Sequence, residues 1–310
     1  MKFAYLIMAH HRFDVLKELL RDIDDERNDI FIHIDKKTKN PPLKELESCV
    51  SKGRIIFLNR IRVYWGHSSQ VKCVLKLLES ALEYGYHDYY HLLVGVEFPL
   101  KDQDEIYAFF EKNKGKEFIG YDNNDKAYPD RIRYYYFGWK YCRSRCKIEK
   151  ALFSVGKKAV ELQKRIGFDR IKNDCVEYKK GYANWSITNG LAQYIIDNRR
   201  FIETKVVFTY CADEILIHTL VFGSPFKEYI FDMKDEYNSA QRLTTWDNKL
   251  NRITIDNIGD VIRTDRLFIR KIDGQDALKV IKIIKENRHD KNNGNLRYAA
   301  GSNKNVPAGT

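Results

Sequence analysis

Hydrophobic and polar residues alternate along the first 120 residues in blocks that predict strands and helices in turn. Five short apolar runs, typical of buried strands, lie at residues 3–9, 30–34, 54–58, 89–94 and 117–120. Between them, apolar residues recur every three or four positions, which predicts helices over residues 13–21, 43–50, 68–84 and 104–112. Strands that alternate with helices favour a mostly parallel sheet with right-handed crossovers. The expected fold class is therefore α/β.

The pattern is less regular after residue 120. Residues 121–146 are rich in Tyr, Trp and Arg and have no clean period, whereas residues 148–164 predict a basic helix. Further helices are predicted over 188–198, 211–220 and 275–286, and further strands over 182–186 and 267–271. We expect one domain over residues 1–287, followed by a polar, mobile tail over residues 288–310.

Composition narrows the class of protein. The chain has 310 residues, of which 44% are hydrophobic and 13% aromatic, and this excludes a disordered or collagen-like chain. No window approaches the roughly 18–20 consecutive apolar residues of a membrane span. The start, MKFAYLIMAHHRF, has no cleavage site of the secretory type. We therefore expect a cytoplasmic protein.

Charge and cysteine content add two expectations. There are 54 Lys and Arg against 43 Asp and Glu, a net charge of +11, which favours anionic partners such as nucleotides, acidic lipid surfaces or nucleic acid. The charge alone does not choose among them. The six cysteines are scattered, and neither a second pair nor a His cluster completes a zinc site around Cys142 and Cys146. Reduced thiols are expected.

Ligands of open parallel sheets bind beyond the carboxyl ends of the strands, so the residues that follow each strand are the candidates. His10 follows the first strand, where it would either pack on a nucleotide or enter the next helix without a ligand. Asp35 follows the second strand, where a carboxylate can accept from a ribose hydroxyl or a base N–H. Considered alone, the Asp35 motif favours the simpler role of capping the following turn.

Phosphate and metal motifs are missing. The chain contains neither GxxxxGK[ST] nor GxGxxG, which argues against a kinase, a P-loop NTPase and an ordinary dinucleotide oxidoreductase. The stretch LLVGVEFPLK offers Glu97 where a metal-dependent sugar-nucleotide enzyme would have Asp-x-Asp, and the Asp-x-Asp pairs at 22–24 and 102–104 are interpreted as helix-end residues. Without a metal, a diphosphate would need cationic side chains. RTDRLFIRKID supplies Arg263, Arg266, Arg270 and Lys271, which would otherwise form a solvated basic face.

A pair of carboxylates is the candidate acid/base group. Asp213 and Glu214 lie at the predicted start of a helix, inside the apolar stretch YCADEILIHTL. The helix dipole favours an ionised carboxylate there, which could act as a base. Helix capping is the alternative, and it fits Asp213 well.

Several segments, taken in order, resemble one glycosyltransferase family. They are AYLIMAHHRFDVLKELLRDI with IFIHIDKKTK, VYWGHSSQVKCVLKLLESAL, YYHLLVGVEFPLKDQDEIYAFF, GYANWSITNGLAQYIID, CADEILIHTL, LTTWDN and LFIRKID. This ordered set, which covers about residues 3–273, resembles the core-2/I-branching N-acetylglucosaminyltransferases, a family shared with the peptide O-xylosyltransferases. The resemblance implies a GT-A-like fold and inverting, metal-independent transfer of a sugar from a UDP-sugar, with no cofactor.

The resemblance also assigns roles to residues of this chain. Glu214 would be the general base, and Lys271 would stabilise the charge of the leaving diphosphate, assisted by Arg252 or, as the alternative, Arg270. The nucleotide site would be lined by His10, Asp35, Trp65 and Gly66. The acceptor sugar would meet Trp246 as a stacking floor, with Asp213, Arg131 and Arg133 nearby.

The sequence also departs from the family pattern. Glu97 replaces the usual Asp before Phe-Pro, Ala212 replaces the Pro before Asp-Glu, and the membrane anchor, stem and disulfides of animal members are not seen. We therefore expect a bacterial-type, cytoplasmic member, whose acceptor could be a lipid-linked glycan at an anionic membrane surface. GlcNAc is the default donor sugar, and glucose, xylose and glucuronic acid stay open.

Two other functions are compatible with parts of the sequence. The net charge and the Tyr- and Arg-rich residues 131–147 would suit single-stranded nucleic acid, but no nucleic-acid motif is present, so no such partner is expected. A non-catalytic sugar-nucleotide or glycan-binding relative would bind UDP without turnover. The presence of Glu214 and Lys271 argues against that alternative.

Overall fold

A five-stranded sheet forms the centre of the molecule. In the computed structural model, which describes residues 1–122, 128–244 and 253–292, four strands run parallel in the order β3-β2-β1-β4. They are β1 (Phe3–Ala9), β2 (Asn28–Ile34), β3 (Arg54–Phe57) and β4 (Tyr89–Val94). The fifth strand, β6 (Ser186–Thr188), pairs antiparallel with β4. The predicted α/β class with a mostly parallel sheet is confirmed.

The register brings three strand ends to one edge of the sheet. Ala9 pairs with Ile34, and Met8 pairs with Val94, so β1, β2 and β4 all end at the same level. Since β2 and β4 lie on opposite sides of β1, the chain winds in opposite directions from β1. Such a switch point opens a crevice at the carboxyl edge of the sheet.

Helices cover both faces of the sheet because the strands are apolar on both sides. Phe3, Tyr5 and Ile7 of β1 face one core, and Ala4 and Leu6 face the other. The first core is covered by α1 (Phe13–Asp22), α2 (Leu43–Glu47), α4 (Gln103–Lys112), α11 (Ile258–Val261) and α12 (Ala277–Asn292). The second core is covered by α3 (Ser69–Tyr84), α7 (Asn189–Asp197), α8 (Arg199–Lys205) and α9 (Leu216–Phe222).

A second, three-stranded sheet lies beside the carboxyl edge of the first. Its strands, in the order β5-β8-β7, are β5 (Glu97–Pro99), β7 (Arg242–Thr244) and β8 (Phe268–Arg270). Glu97 pairs with Arg270 across β5 and β8. Through this pairing, β8 places Arg270 next to the carboxyl ends of the central strands. The remaining described helices are α5 (Asp130–Arg133), α6 (Lys147–Arg165) and α10 (Glu236–Ala240).

Two of the expected strands differ from the structure. Residues 117–120 form no strand, and Glu117 and Phe118 make only single bridges, to Ile230 and Ser186. The strand expected over 182–186 lies instead at Ser186–Thr188, because only residues from Ser186 onward pair with β4.

Two of the expected helices also have different limits. The helix expected over 211–220 is divided into a 3₁₀ turn, Ala212–Glu214, and α9, because Ile215 between them has a non-helical φ of −124°. At the C-terminal end, α12 continues to Asn292, beyond residue 287. Arg288 is buried there, donates from both terminal nitrogens to the Asp22 carboxylate at 2.6 and 2.9 Å, and also donates to the carbonyl of Lys101. Arg288 thus packs on the domain, and α12 passes the expected boundary at residue 287.

The described part of the chain contains no helix that is both long enough and apolar enough to cross a bilayer.

The buried carboxylate of Glu117 makes stability depend on pH. It accepts from the Thr188 backbone N–H at 2.9 Å and from the Thr188 hydroxyl at 2.5 Å, and burial raises its pKa from 4.5 to about 7. Because the folded-state pKa is the higher one, the folded state binds more protons between these values, and stability falls as pH rises through this window. Each unit of difference between the pKa values of the folded and unfolded states is worth about 1.4 kcal/mol, so ionisation of Glu117 costs the folded state roughly 3 kcal/mol.

Glu117→Gln is therefore expected to unfold at higher denaturant concentration than wild type at about pH 8, with the gain shrinking toward about pH 5. Urea unfolding of both proteins at both pH values measures this difference in the midpoint of unfolding. The exposed Glu111→Gln provides the matched control and should show no pH-dependent difference. A constant offset between wild type and Glu117→Gln at the two pH values would contradict the raised pKa.

Candidate active site

A cavity of about 610 Å³ opens at the carboxyl edge of β1, β2 and β4. Its floor is built by the residues that end these strands, and its far wall by the ends of β7 and β8. The residues that line it include Ala9, His10, His11, Asp35, Tyr64, Trp65, Gln70, Gly95, Lys140, Arg143, Tyr182, Thr244, Arg270 and Lys271. The crevice that the strand order predicts is thus present.

The lining of this cavity is strongly cationic. Five cationic side chains, Lys37, Lys140, Arg143, Arg270 and Lys271, face two carboxylates, Asp35 and Glu149. Apolar surface from Met8, Val63, Val94 and Val96 lies beside them. A site with apolar walls and an excess of positive charge suits a ligand that joins a ring system to a diphosphate.

Asp35 caps the turn after β2 and also lines the cavity. Its Oδ1 accepts from the backbone N–H of Lys37 at 2.9 Å and of Val63 at 3.4 Å, which caps the turn after β2. Its Oδ2 lies 3.3 Å from the Lys37 ammonium, and the carboxylate also lines the cavity. The capping role therefore holds the carboxylate at the cavity wall.

The rings of His10 and His11 contact one another at the end of β1, with centroids 4.1 Å apart and planes tilted by 37°. Burial and the neighbouring His11, Lys37 and Lys271 lower the pKa of His10 to about 4, which outweighs the opposing effect of Asp35. Burial and Lys271 also lower the pKa of His11. Both imidazoles are consequently neutral at physiological pH and can offer a donor and an acceptor to a ligand.

Trp65 and Gly66 have different surroundings. Trp65 is 43% exposed and lines the cavity, and the Arg143 guanidinium lies over its ring, 3.7 Å from the ring centroid. Gly66 is not among the lining residues. It has φ of +67°, a Cβ there would lie 2.9 Å from the Tyr210 ring, and its carbonyl accepts from the Cys211 N–H at 2.9 Å. Gly66 thus packs the loop that carries Trp65 against the segment that carries Asp213 and Glu214.

The two cations at the end of β8 are held differently. Arg270 is half-buried at the cavity wall and donates to the Tyr182 hydroxyl at 3.2 Å. Lys271 is 47% exposed in its side chain and pairs with Asp273 at 2.8 Å. Both line the cavity, and Lys271 is the more exposed of the two.

The 3₁₀ turn Ala212–Glu214 connects the cavity to a second region. Gln70, which lines the cavity, donates to Asp213 Oδ2 at 3.1 Å, while Glu214 Oε2 accepts from Arg131 Nη1 at 2.6 Å. Burial and the adjacent charge of Glu214 raise the pKa of Asp213. The two carboxylates therefore face different groups, and Asp213 lies nearer the cavity lining.

The two arginines of α5 point to different places. Arg131 pairs with Glu214 and lines a second, more open cavity of about 910 Å³ together with Tyr210 and residues of α6. Arg133 instead pairs with Asp130 at 2.7 Å and with Asp169 at 3.1 Å. The structure thus brings Arg131, but not Arg133, to Glu214. Trp246 and Arg252 lie outside the described residues.

Several residues near the site were missed by the sequence analysis. Lys180 pairs with Asp122 at 3.1 Å, and the charges of Glu214 and Glu236 contribute to the raised pKa of Lys180. Burial also raises the pKa of Glu236 to about 7. Lys140 and Arg143 lie in the Tyr- and Arg-rich residues 121–146, and that composition was the one sign of them in the sequence. It did not indicate that either side chain lines the cavity.

Glu97, which occupies the place of a metal-binding Asp, is turned away from the cavity. It is fully buried, and its Oε2 accepts from the Val94 N–H at 2.9 Å and from Asn184 at 2.7 Å. Within residues 1–122, 128–244 and 253–292, no group of three or more His, Cys, Asp or Glu side chains could hold a metal ion.

A mostly parallel α/β sheet with a cationic cavity at its switch point, next to a pair of carboxylates, is suited to a nucleotide ligand. The chain belongs to the Core-2/I-Branching enzyme family, whose model matches residues 3–260. The family resemblance of the sequence segments is thereby confirmed.

Individual relatives are distant. Xylosyltransferase 2 of Canis lupus familiaris is 23% identical over 273 residues, and the human protein of that name is also 23% identical over 273 residues. These matches cover 80% of this chain and 27% of those proteins, so the chain spans about a quarter of their length. Among solved structures, TarS of S. aureus matches with a TM-score of 0.36 and 10% identity, covering 93% of this chain and 39% of that one. The apo form of mouse xyloside xylosyltransferase 1 matches with a TM-score of 0.38 and 10% identity, covering 87% of this chain and 97% of that one.

Proposed function

We propose that the protein is an inverting glycosyltransferase that moves a sugar from a UDP-sugar to a hydroxyl group of a glycan acceptor. The observation that carries this proposal is the cationic cavity at the carboxyl edge of the sheet, joined through Gln70 to the turn that holds Asp213 and Glu214. A donor site next to a potential base is what such a transfer requires. Membership of the family supports the same reaction.

In this proposal, the nucleoside part of the donor lies against Asp35, His10 and Trp65. The carboxylate of Asp35 accepts from a ribose hydroxyl or a base N–H, as in other open α/β sheets. The neutral His10 adds a hydrogen bond without repelling the nearby cations. The diphosphate lies toward Lys271 and Arg270, which line the same cavity.

The transfer step requires one base, which takes a proton from the acceptor, and one group of cations, which stabilises the leaving UDP. Glu214 accepts the proton of the acceptor hydroxyl as that oxygen forms a bond to the anomeric carbon. The bond from the anomeric carbon to the diphosphate oxygen breaks, and its electron pair leaves with UDP, whose charge Lys271 and Arg270 stabilise. Attack from the face opposite the leaving group converts an α-linked donor into a β-linked product. The ion pair with Arg131 orients Glu214.

We propose that cations, and not a metal ion, neutralise the leaving diphosphate. The buried Glu97 is engaged by Val94 and Asn184, and five cationic side chains already line the cavity. Arg252 is a further candidate for the same task on grounds of sequence alone.

The acceptor is proposed to enter from the side of Arg131 and the 910 Å³ cavity. Asp213 and Trp246 stay proposed acceptor contacts. Lys180, which pairs with Asp122, and Glu236 lie close enough to Glu214 for its charge to act on them. A glycan with many hydroxyl groups suits such a lining. GlcNAc is the default donor sugar, and the names of the xylosyltransferase relatives make xylose the first alternative to test. A lipid-linked acceptor in surface polysaccharide or glycoconjugate synthesis is the proposed context.

A panel of UDP-, GDP- and CMP-sugars tests this function by thermal shift and by release of the nucleotide, in EDTA and in Mn²⁺. A ligand at a hundredfold excess over its Kd stabilises the folded state by about 2.7 kcal/mol, which is a shift of several degrees in Tm. We expect a UDP-sugar to stabilise the protein in EDTA and UDP to be released on addition of acceptor.

Stabilisation without release with every acceptor tested would indicate a non-catalytic relative. Absence of any shift, together with salt-dependent binding to RNA, would favour a nucleic-acid protein.

Arg143→Ala is expected to weaken UDP binding about tenfold, because it removes a cation that lines the cavity and covers the Trp65 ring. Isothermal titration of UDP into both proteins measures the change. The nearby Arg145→Ala, which removes an exposed charge that does not line the cavity, is the matched control and should bind UDP as wild type does. Equal weakening by both substitutions would show that Arg143 acts only through net charge.

A further inference from the structure

The helix α6 carries a stripe of exposed apolar side chains along its whole length. The stripe consists of Ile148, Leu152, Val155 and Leu162 and continues to Ile166, just past the end of the helix. These residues are spaced by three, four or seven positions, so they lie on one face. Each is between 47% and 73% exposed. Single exposed apolar residues are ordinary, but a continuous row of five is not.

The orientation of this stripe is fixed by the buried side of the helix, which lies about a quarter turn away from it. Gly156 and Val160 are the buried residues of α6. A Cβ at Gly156 would lie 1.9 Å from the carbonyl oxygen of Phe137, so the helix backbone is packed directly on the loop before it. Rotation that would bury the stripe is therefore blocked by this close contact.

Basic side chains lie along one edge of the stripe and on the face of the helix behind it. Over Lys147–Arg165 there are six cations, Lys147, Lys150, Lys157, Lys158, Lys164 and Arg165, against two carboxylates, Glu149 and Glu161. All six cationic residues are exposed. An in-plane helix on an anionic bilayer has this composition, with an apolar face that enters the headgroup region and cations that meet the lipid phosphates.

We propose that this stripe of α6 is a docking surface for an anionic lipid bilayer. A second copy of the chain fits it less well, because two such helices would bring twelve cations against four carboxylates across an apolar seam. The inference rests on the exposed helix and its charge and does not depend on the proposed transfer reaction.

The location of α6 gives this surface a consequence for the site. Residues 140–144, just before α6, line the cationic cavity, and residues of α6 itself line the 910 Å³ cavity beside Arg131. Leu162 belongs both to the stripe and to the lining of the 910 Å³ cavity, so a bilayer against the stripe would meet the edge of that cavity.

Flotation of the full chain with lipid vesicles tests the surface without any donor or acceptor. We expect wild type to float with phosphatidylcholine vesicles that contain phosphatidylglycerol, and not with phosphatidylcholine alone. The triple variant Ile148→Glu, Val155→Glu, Ile166→Glu should bind the anionic vesicles at least about tenfold more weakly, because it places charge in the headgroup boundary. Its Tm should stay close to wild type, since all three side chains are exposed.

A matched triple variant, Leu43→Glu, Tyr86→Glu, Val176→Glu, changes the net charge equally at other exposed apolar positions and should still float. Failure of wild type to bind the anionic vesicles, or equal binding by the stripe variant, would overturn the proposal. Equal binding to vesicles of phosphatidylcholine alone would overturn the anionic-lipid part. A wild-type dimer that the stripe variant converts to a monomer would assign the surface to a second copy instead.

Discussion

Glu214→Gln is expected to lower kcat by about 10³-fold while leaving UDP binding within about twofold of wild type. Loss of a positioned general base costs typically 10²- to 10⁴-fold, and glutamine keeps the shape of the side chain without accepting a proton. Glu214 is not among the residues that line the nucleotide cavity, so its removal should not disturb the donor. Release of UDP in the presence of acceptor gives kcat, and calorimetry gives the affinity for UDP.

Asp213→Asn is the matched control for this prediction, because the two carboxylates are neighbours in one turn. Asp213 accepts from Gln70, and its raised pKa means that it is protonated at higher pH than an exposed Asp. Asparagine resembles the protonated form, so we expect a much smaller loss of kcat than in Glu214→Gln. The reverse order of the two variants would assign the base to Asp213 and contradict the proposed role of Glu214.

Lys271→Ala is expected to lower kcat by about 10²- to 10³-fold, which is the usual cost of removing one group that stabilises charge in the transition state. The partly exposed Lys271 lies at the cavity wall, where its pairing with Asp273 can be exchanged for a phosphate. Because the charge on UDP develops as the bond breaks, the effect should fall on kcat more than on the affinity for the donor. Steady-state kinetics with varied donor concentration separates the two.

Lys271→Arg should recover part of this activity, since it keeps the charge but not the geometry of the ammonium. Lys279→Ala, on the exposed surface of α12, removes the same charge at a distance from the cavity and should turn over as wild type does. Wild-type kcat in Lys271→Ala would show that the leaving diphosphate is neutralised by other groups, such as Arg270.

The fold could be predicted from the sequence where local pattern decides structure. The run at β1 is apolar without interruption, and the predicted runs of β2 and β4 are interrupted only by His33 and His91, because both faces of the sheet are covered. Such runs are easy to find. Their carboxyl ends follow from the pattern to within a residue, and the residues just beyond them, His10 and Asp35, do line the cavity. Residues 117–120 have a similar pattern, yet they form only single bridges, because a strand also needs a partner that sequence does not name.

The site was predicted less completely than the fold, because its walls come from distant parts of the chain. Arg143 reaches the Trp65 ring across 78 positions, and Gln70 reaches Asp213 across 143. Neither contact has a local signature. The Arg131 and Arg133 pair illustrates the same limit, since only the three-dimensional path of α5 directs Arg131 to Glu214 and Arg133 to Asp169.

The central claim is that the cationic cavity at the end of β1, β2 and β4 binds a uridine diphosphate group. Isothermal titration of UDP in EDTA, into wild type and into Asp35→Asn, Lys271→Ala and Glu214→Gln, tests it most directly. The account predicts one UDP per chain, weaker binding in Asp35→Asn and unchanged binding in Glu214→Gln. Absence of UDP binding to wild type, or equal affinity in Asp35→Asn and wild type, would contradict the account.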